Sequence, residues 1–164
     1  MKERILHARN SAARAVNREL VLLYWDIGRA IVEKQQTAGW GDSVVERLAV
    51  DLRTAFPDMR GFSVVNLWRM KQLFLEHTSP EFLSQAVKEL KGRGTEPEKL
   101  SQAVRELVVS VPWGHHANLL ATLTDPAARL FYLRATAQLG WSRSVLLNQI
   151  KARDLLNLIK GRRL

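Results

Sequence analysis

Apolar residues recur along this chain at steps of three and four almost from end to end, the spacing that one face of an α-helix imposes. Val16, Leu20, Leu23, Ile27 and Ile31 form the first such stripe, and around Leu20–Trp25 the chain is apolar on most sides, as in a helix enclosed by others. Gly39-Trp40-Gly41 ends it, because glycine removes the backbone restraint that carries a helix onward. Ser43 with Glu46 has the spacing of a capping box, ahead of a second stripe of Val45, Leu48, Ala49, Leu52 and Phe56. Pro57-Asp58-Met59-Arg60-Gly61 has the composition of a turn, and Ser63 is placed to cap a third helix with Leu67, Met70 and Phe74 inside. Ser79-Pro80 and Asp125-Pro126 each read as a cap followed by proline at the first helical position, where its missing amide removes no bond. Gly92-Arg93-Gly94 interrupts, Thr95 with Glu98 restarts, and Gly140-Trp141-Ser142 separates two further helices. No segment sustains the alternation of a strand. The expectation is an all-α fold of about seven or eight helices, with one domain over residues 1–150 and a basic helical tail over 151–164.

One short repeat stands out. Leu83-Ser84-Gln85-Ala86-Val87-Lys88-Glu89-Leu90 returns as Leu100-Ser101-Gln102-Ala103-Val104-Arg105-Glu106-Leu107. Two copies are too few for a solenoid, so the repeat reads as a local duplication that lengthens a connector.

Composition narrows the chemistry. The absence of cysteine removes disulfides, thiol catalysis and cysteine-ligated zinc. The longest apolar run, Leu20–Trp25, is far too short to span a bilayer, and Met1-Lys2-Glu3-Arg4 does not open a signal peptide, so a soluble, cytoplasmic chain without a membrane partner is expected. The net charge of +9 favours polyanionic partners, and it is uneven. Residues 1–36 carry seven basic and four acidic groups, residues 37–111 ten of each, and residues 112–164 eight against two.

Two basic regions are candidates for nucleic acid. Helices over 43–56 and 63–76, joined by a Pro- and Gly-containing turn, have the order of a helix-turn-helix, whose second helix lies in the major groove. On that second helix Val65, Trp68, Arg69 and Gln72 point away from the inner face, with Asn66 at the flank. Arg69 suits a guanine edge or a phosphate, and Asn66 or Gln72 suits adenine. Arg60 and Lys71 add charge, since Met59–Leu75 contains three basic residues and no acidic one. The second region is the C-terminal helix, where Arg143, Lys151, Arg153, Lys160, Arg162 and Arg163 are opposed only by Asp154 and could hold phosphates. Its Leu155, Leu156, Leu158 and Ile159 require a covering surface, from this core or from another chain.

Catalytic patterns are weaker. Pro57-Asp58 with Glu89-Leu90-Lys91 imitates a metal-dependent nuclease motif, but Glu89 and Lys91 on a helix point to different sides. His115-His116, adjacent on a helix, diverge by about 100° and do not form the pincer of a zinc site, so a hydrogen-bonded core or helix-start role is expected. The five tryptophans read as packing residues. Neither metal nor cofactor is expected.

Asn17-Arg18-Glu19-Leu20, Tyr24-Trp25-Asp26-Ile27-Gly28, Gly39-Trp40-Gly41, Phe56-Pro57 and Gly61-Phe62-Ser63 with Asn66-Leu67 resemble the N-terminal domain of the bacterial YhcG-type family. Pro112-Trp113-Gly114-His115-His116 and Gly140-Trp141-Ser142-Arg143-Ser144-Val145-Leu146 with Gln149-Ile150 extend the resemblance over about residues 10–150. It implies a helical DNA-binding module that most of the family joins to a C-terminal nuclease domain of the PD-(D/E)xK type. Here the sequence ends at Leu164 without such carboxylates, so no enzymatic activity is expected of this polypeptide. Val64 and Val65 stand where the family often has basic residues, leaving Arg69 and Lys71 as the cations of that helix. The expected function is therefore non-catalytic binding of nucleic acid, with DNA as partner. The alternative is a helical interaction module that forms a homodimer or docks a nuclease-bearing partner.

Overall fold

The computed structural model describes residues 1–39, 41, 43–90 and 96–161. Among them the chain is all-α, with eight helices and no strand: α1 (Lys2–Thr37), α2 (Ser43–Ala55), α3 (Val64–Thr78), α4 (Pro80–Glu89), α5 (Pro97–Val109), α6 (Trp113–Thr122), α7 (Pro126–Leu139) and α8 (Arg143–Gly161). Trp40, Asp42, Lys91–Thr95 and Arg162–Leu164 lie outside the described residues, and with them the expected Gly92-Arg93-Gly94 break, the Thr95 restart and the last two arginines.

Local chemistry sets the helix starts. Ser63, Ser79, Asp125 and Ser142 each accept a hydrogen bond from the backbone amide three residues on, which satisfies one of the orphan donors of a helix N-terminus. Gly140 ends α7 in the left-handed conformation (φ 65°), which glycine adopts without a Cβ penalty. Helix α2 begins at Ser43 itself, so Ser43 stands inside the first turn and not ahead of it.

Helix α1 is the spine, and α3 packs along it more extensively than any other pair of helices. The approach is close because Gly28 has no side chain: a Cβ there would overlap the Met70 carbonyl. Two apolar clusters result. Val45, Ala49, Phe62, Leu67 and Met70 pack on Tyr24 and Ile31, while Leu73, Phe82, Val104, Val108, Leu119, Leu130, Leu133 and Leu146 gather around Val21 and Trp25. Trp113 touches both clusters.

The buried face of α1 differs from the expected stripe. Val21, Tyr24, Trp25, Gly28, Ile31 and Val32 are buried, whereas Val16 and Leu23 are 67% and 41% exposed. Helical spacing alone fits either side of so apolar a segment, and contact with α3 selects one. Residues 1–16 are exposed throughout, so the first part of α1 projects from the body by about 22 Å. Phe56, expected in the α2 stripe, is half-exposed in the connector and tilts against Phe62, with ring centroids 6.4 Å apart.

The repeated octapeptide lies on α4 and α5 with different faces inward. In α4 the alanine, Ala86, is buried and Val87 is exposed; in α5 the equivalent valine, Val104, is buried. One pattern thus serves two rotations, because α4 packs on α7 while α5 packs on α1, with Arg105 bonding Asp26 and Arg18 bonding Glu106. At the C-terminus α8 continues unbroken through residue 150, the expected domain boundary, and the change there is in burial. Ile150 is the last buried residue, and 151–161 are all exposed. No helix of the described residues is long and apolar enough to cross a membrane.

Candidate nucleic-acid interface

Four helices meet at a polar joint built from motif residues far apart in sequence. Gly61 has φ 108°, and a Cβ on it would overlap the Tyr24 hydroxyl, so glycine is required for both reasons. Its carbonyl accepts a 2.7 Å hydrogen bond from Asn66 Nδ2 in the first turn of α3. Asn66 Oδ1 accepts a 3.0 Å bond from Trp113 Nε1 at the start of α6, and the Trp113 ring meets Tyr24 of α1 edge-on at 4.9 Å. Burial pushes the Tyr24 phenol up from its ordinary range, so it stays neutral. The next residue, Gly114, leaves room for the stem of Arg143 in α8, whose Cδ would lie 2.9 Å from any added Cβ. His115 Nε2 donates to the Trp141 carbonyl at 2.7 Å, which ties α6 to the α7–α8 turn.

The expected site residues divide around this joint. Arg60, next to Gly61, and Arg143, against Gly114, are exposed at its two ends, and Arg69 is exposed one turn beyond Asn66. None of the three is in an ion pair among the described residues. Lys71 is half-buried, with Nζ 5.0 Å from the Trp68 ring centroid, and Gln72 is half-buried on the same helix. Lys151 is exposed, without an ion pair among the described residues. Arg153 turns to another side of α8, where its guanidinium lies 5.4 Å over Phe131 of α7. Of these cations Arg143 touches the joint, at Gly114, and Arg60 and Arg69 adjoin its residues in sequence, while Lys151 and Arg153 sit farther along α8.

Asn66 is a correction. It is 9% exposed, and both ends of its amide are engaged inside the protein, so it is not free to read a base. The α2–α3 pair also differs from a compact helix-turn-helix. Its connector, residues 56–63, has eight residues where such motifs use about three or four, and the main partner of α3 is α1. Residues 155, 156, 158 and 159 of α8 remain 53–62% exposed, uncovered by the rest of the fold.

Sequence reasoning missed a buried polar group in the larger cluster. Arg129, 1% exposed, reaches Glu76 at 2.8 Å and the Leu123 carbonyl, tying α7 to α3. His77 donates through Nδ1 to the Leu73 carbonyl, and His116 through Nε2 to Val108, with the two rings perpendicular at 5.9 Å. Burial lowers His77 to about 3 and His116 to about 4, and His77 is lowered further by His116 and Arg129. Both rings are neutral and structural. His115 and His116 bond different carbonyls, as expected of core and helix-start residues. Pro57-Asp58 lies in the α2–α3 connector and Glu89 pairs with Arg134, while Lys91 falls outside the described residues.

The fold and its joint define an all-helical domain, held together where the motif residues meet. The chain belongs to the DUF1016 N-terminal domain family, which matches residues 1–155. It is similar to the Escherichia coli (strain K12) protein named "Putative nuclease YhcG", with 30% identity over 155 residues, covering 87% of this chain and 40% of that protein. The family resemblance read from the motifs thus holds, and Tyr24, Gly61, Asn66, Trp113, Gly114, His115, Trp141 and Arg143 of those motifs are the joint itself. No solved structure matches the chain.

Proposed function

We propose that this chain is a non-catalytic DNA-binding module that acts in the cytoplasm and places its cations on phosphates through a rigid joint. The observation that carries this reading is the exposure of Arg60, Arg69 and Arg143, without carboxylate partners among the described residues, at positions adjoining the residues of the joint. Arg18, Arg105, Arg129 and Arg134, by contrast, hold carboxylates. Arg143 is held against Gly114, and a cation so held loses less conformational freedom on binding. The net charge of +9 and the relation to a protein named as a nuclease favour the same reading.

The test is the triple variant Arg60→Ala, Arg69→Ala and Arg143→Ala, all at exposed positions. Its duplex affinity falls, and the slope of log affinity against log salt flattens by about 0.9 per lost phosphate contact. Unchanged affinity and slope would dismiss the assignment.

A second reading rests on the uncovered aliphatic residues of α8, which suit docking of a partner chain or a second copy. It requires a concentration-dependent complex, insensitive to salt, that is lost in Leu155→Ser with Ile159→Ser. Sedimentation with and without DNA separates the two readings.

A further inference from the structure

Helix α7 carries a feature that the joint does not use. Phe131 is 54% exposed, although burying such a ring is among the larger gains available to a fold. It stands as a ridge between two open depressions. One, of about 440 Å³ between α7 and α8, is lined by Trp141, Gln149 and Arg153. The other, of about 290 Å³ between α4 and α7, is lined by Gln85, Arg134 and Gln138. Each depression therefore has an aromatic wall, an arginine and at least one glutamine amide. The two carboxylates nearby are occupied: Glu89 pairs with Arg134 at 3.0 Å, and Asp125 accepts the Ala128 amide at 3.0 Å.

We infer that this α7 surface holds unpaired nucleobases, with Phe131 and the Arg153 guanidinium as stacking planes, so that the module takes a single-stranded or opened segment there. The inference rests on the nucleic-acid reading above and deepens it. Three observations carry it. Phe131 is exposed where a fold would ordinarily bury it. The planar Arg153 lies 5.4 Å over that ring, an arrangement that presents two flat faces. The glutamine amides of both depressions offer donors and acceptors to a base edge beside the stacking planes. The positive balance of the last third of the chain supplies the attraction for the backbone, while a duplex keeps its base faces stacked and has none to offer Phe131.

The test uses the full chain at low salt, with a short oligo-dA carrying one 2-aminopurine and the corresponding duplex, and with the variants Phe131→Ala, Phe131→Leu and Phe131→Trp. Single-strand affinity falls about 5- to 150-fold in Phe131→Ala, the range of one lost base stack. It stays low in Phe131→Leu, which is apolar but not flat, and is kept in Phe131→Trp. Duplex affinity changes less than about twofold, a margin well below that of one stack. The 2-aminopurine emission is quenched by the wild type and by Phe131→Trp, but not by Phe131→Ala. Single-strand binding indifferent to Phe131, or equally restored by leucine, would overturn the inference and leave duplex binding at the joint standing. Failure of the wild type to bind either oligonucleotide would remove both.

Discussion

Replacing Asn66 by alanine separates the two roles open to that residue. The side chain donates to the Gly61 carbonyl at 2.7 Å and accepts from the Trp113 indole at 3.0 Å. Both partners are half-buried, so each stranded group costs about 1–1.5 kcal/mol, the lower part of the range for an unsatisfied polar group. Alanine returns about 0.5 kcal/mol in helix propensity, and the cap is unaffected because the Asn66 amide, not its side chain, bonds Ser63. The net loss is about 2 kcal/mol, or roughly 4–8 °C in melting temperature for a domain of this size. Urea denaturation followed by circular dichroism reads this as a lower midpoint at unchanged slope. A base-reading asparagine would behave in the opposite way, leaving stability within about 0.5 kcal/mol while removing about 1–3 kcal/mol of discrimination between sequences. That second pattern would refute the joint.

Other outcomes follow from the same structure. Gly28→Ala gains helix propensity but forces α1 from α3 at the Met70 backbone, which cannot rotate away, so the variant loses about 3 kcal/mol or fails to fold, whereas Gly161→Ala, with open space around it, is neutral or slightly stabilised. Arg129→Ala leaves the part-exposed Glu76 without its partner, strands the Leu123 carbonyl and empties a buried site, costing about 1–3 kcal/mol in thermal or urea unfolding. Acid acts through His77 and His116: both are neutral in the fold, with values lowered to about 4 or below, so the unfolded chain binds more protons once the pH falls below 6.5. Stability is therefore full above that point and declines as the pH drops towards 4, by about 2 kcal/mol per histidine at pH 5. Urea midpoints at pH 7 and pH 5 measure this decline, and a His77→Gln, His116→Gln variant that folds and loses as much between them would contradict it.

What the sequence disclosed was local. Ser63, Ser79 and Asp125 start helices because a cap depends on three residues and no partner. What it concealed depended on neighbours. The apolar segment of α1 offered two possible faces, and only the close approach at Gly28 decides between them. The repeated octapeptide illustrates the same limit, since α4 and α5 turn different residues inward against different helices. A helical wheel puts Asn66 at the flank because it treats a polar residue as exposed, and nothing in the spacing shows a tryptophan arriving from α6. The Pro112-Trp113-Gly114 motif was the available signal, as an indole N–H beside glycine requires an acceptor once it is buried. Arg129 and His77 left no comparable trace, because a charged or titratable residue in a helical stripe looks like surface until its partners are seen.

The central claim is that cations beside the joint and along α8 bind a phosphate backbone. The most direct measurement is the affinity of the intact chain for a duplex across a range of salt concentrations. With three to six of the cations Arg60, Arg69, Lys71, Arg143, Lys151 and Arg153 engaged, log affinity falls against log salt with a slope of about −3 to −5. A flat salt response, or a complex that forms only between protein chains, would contradict it.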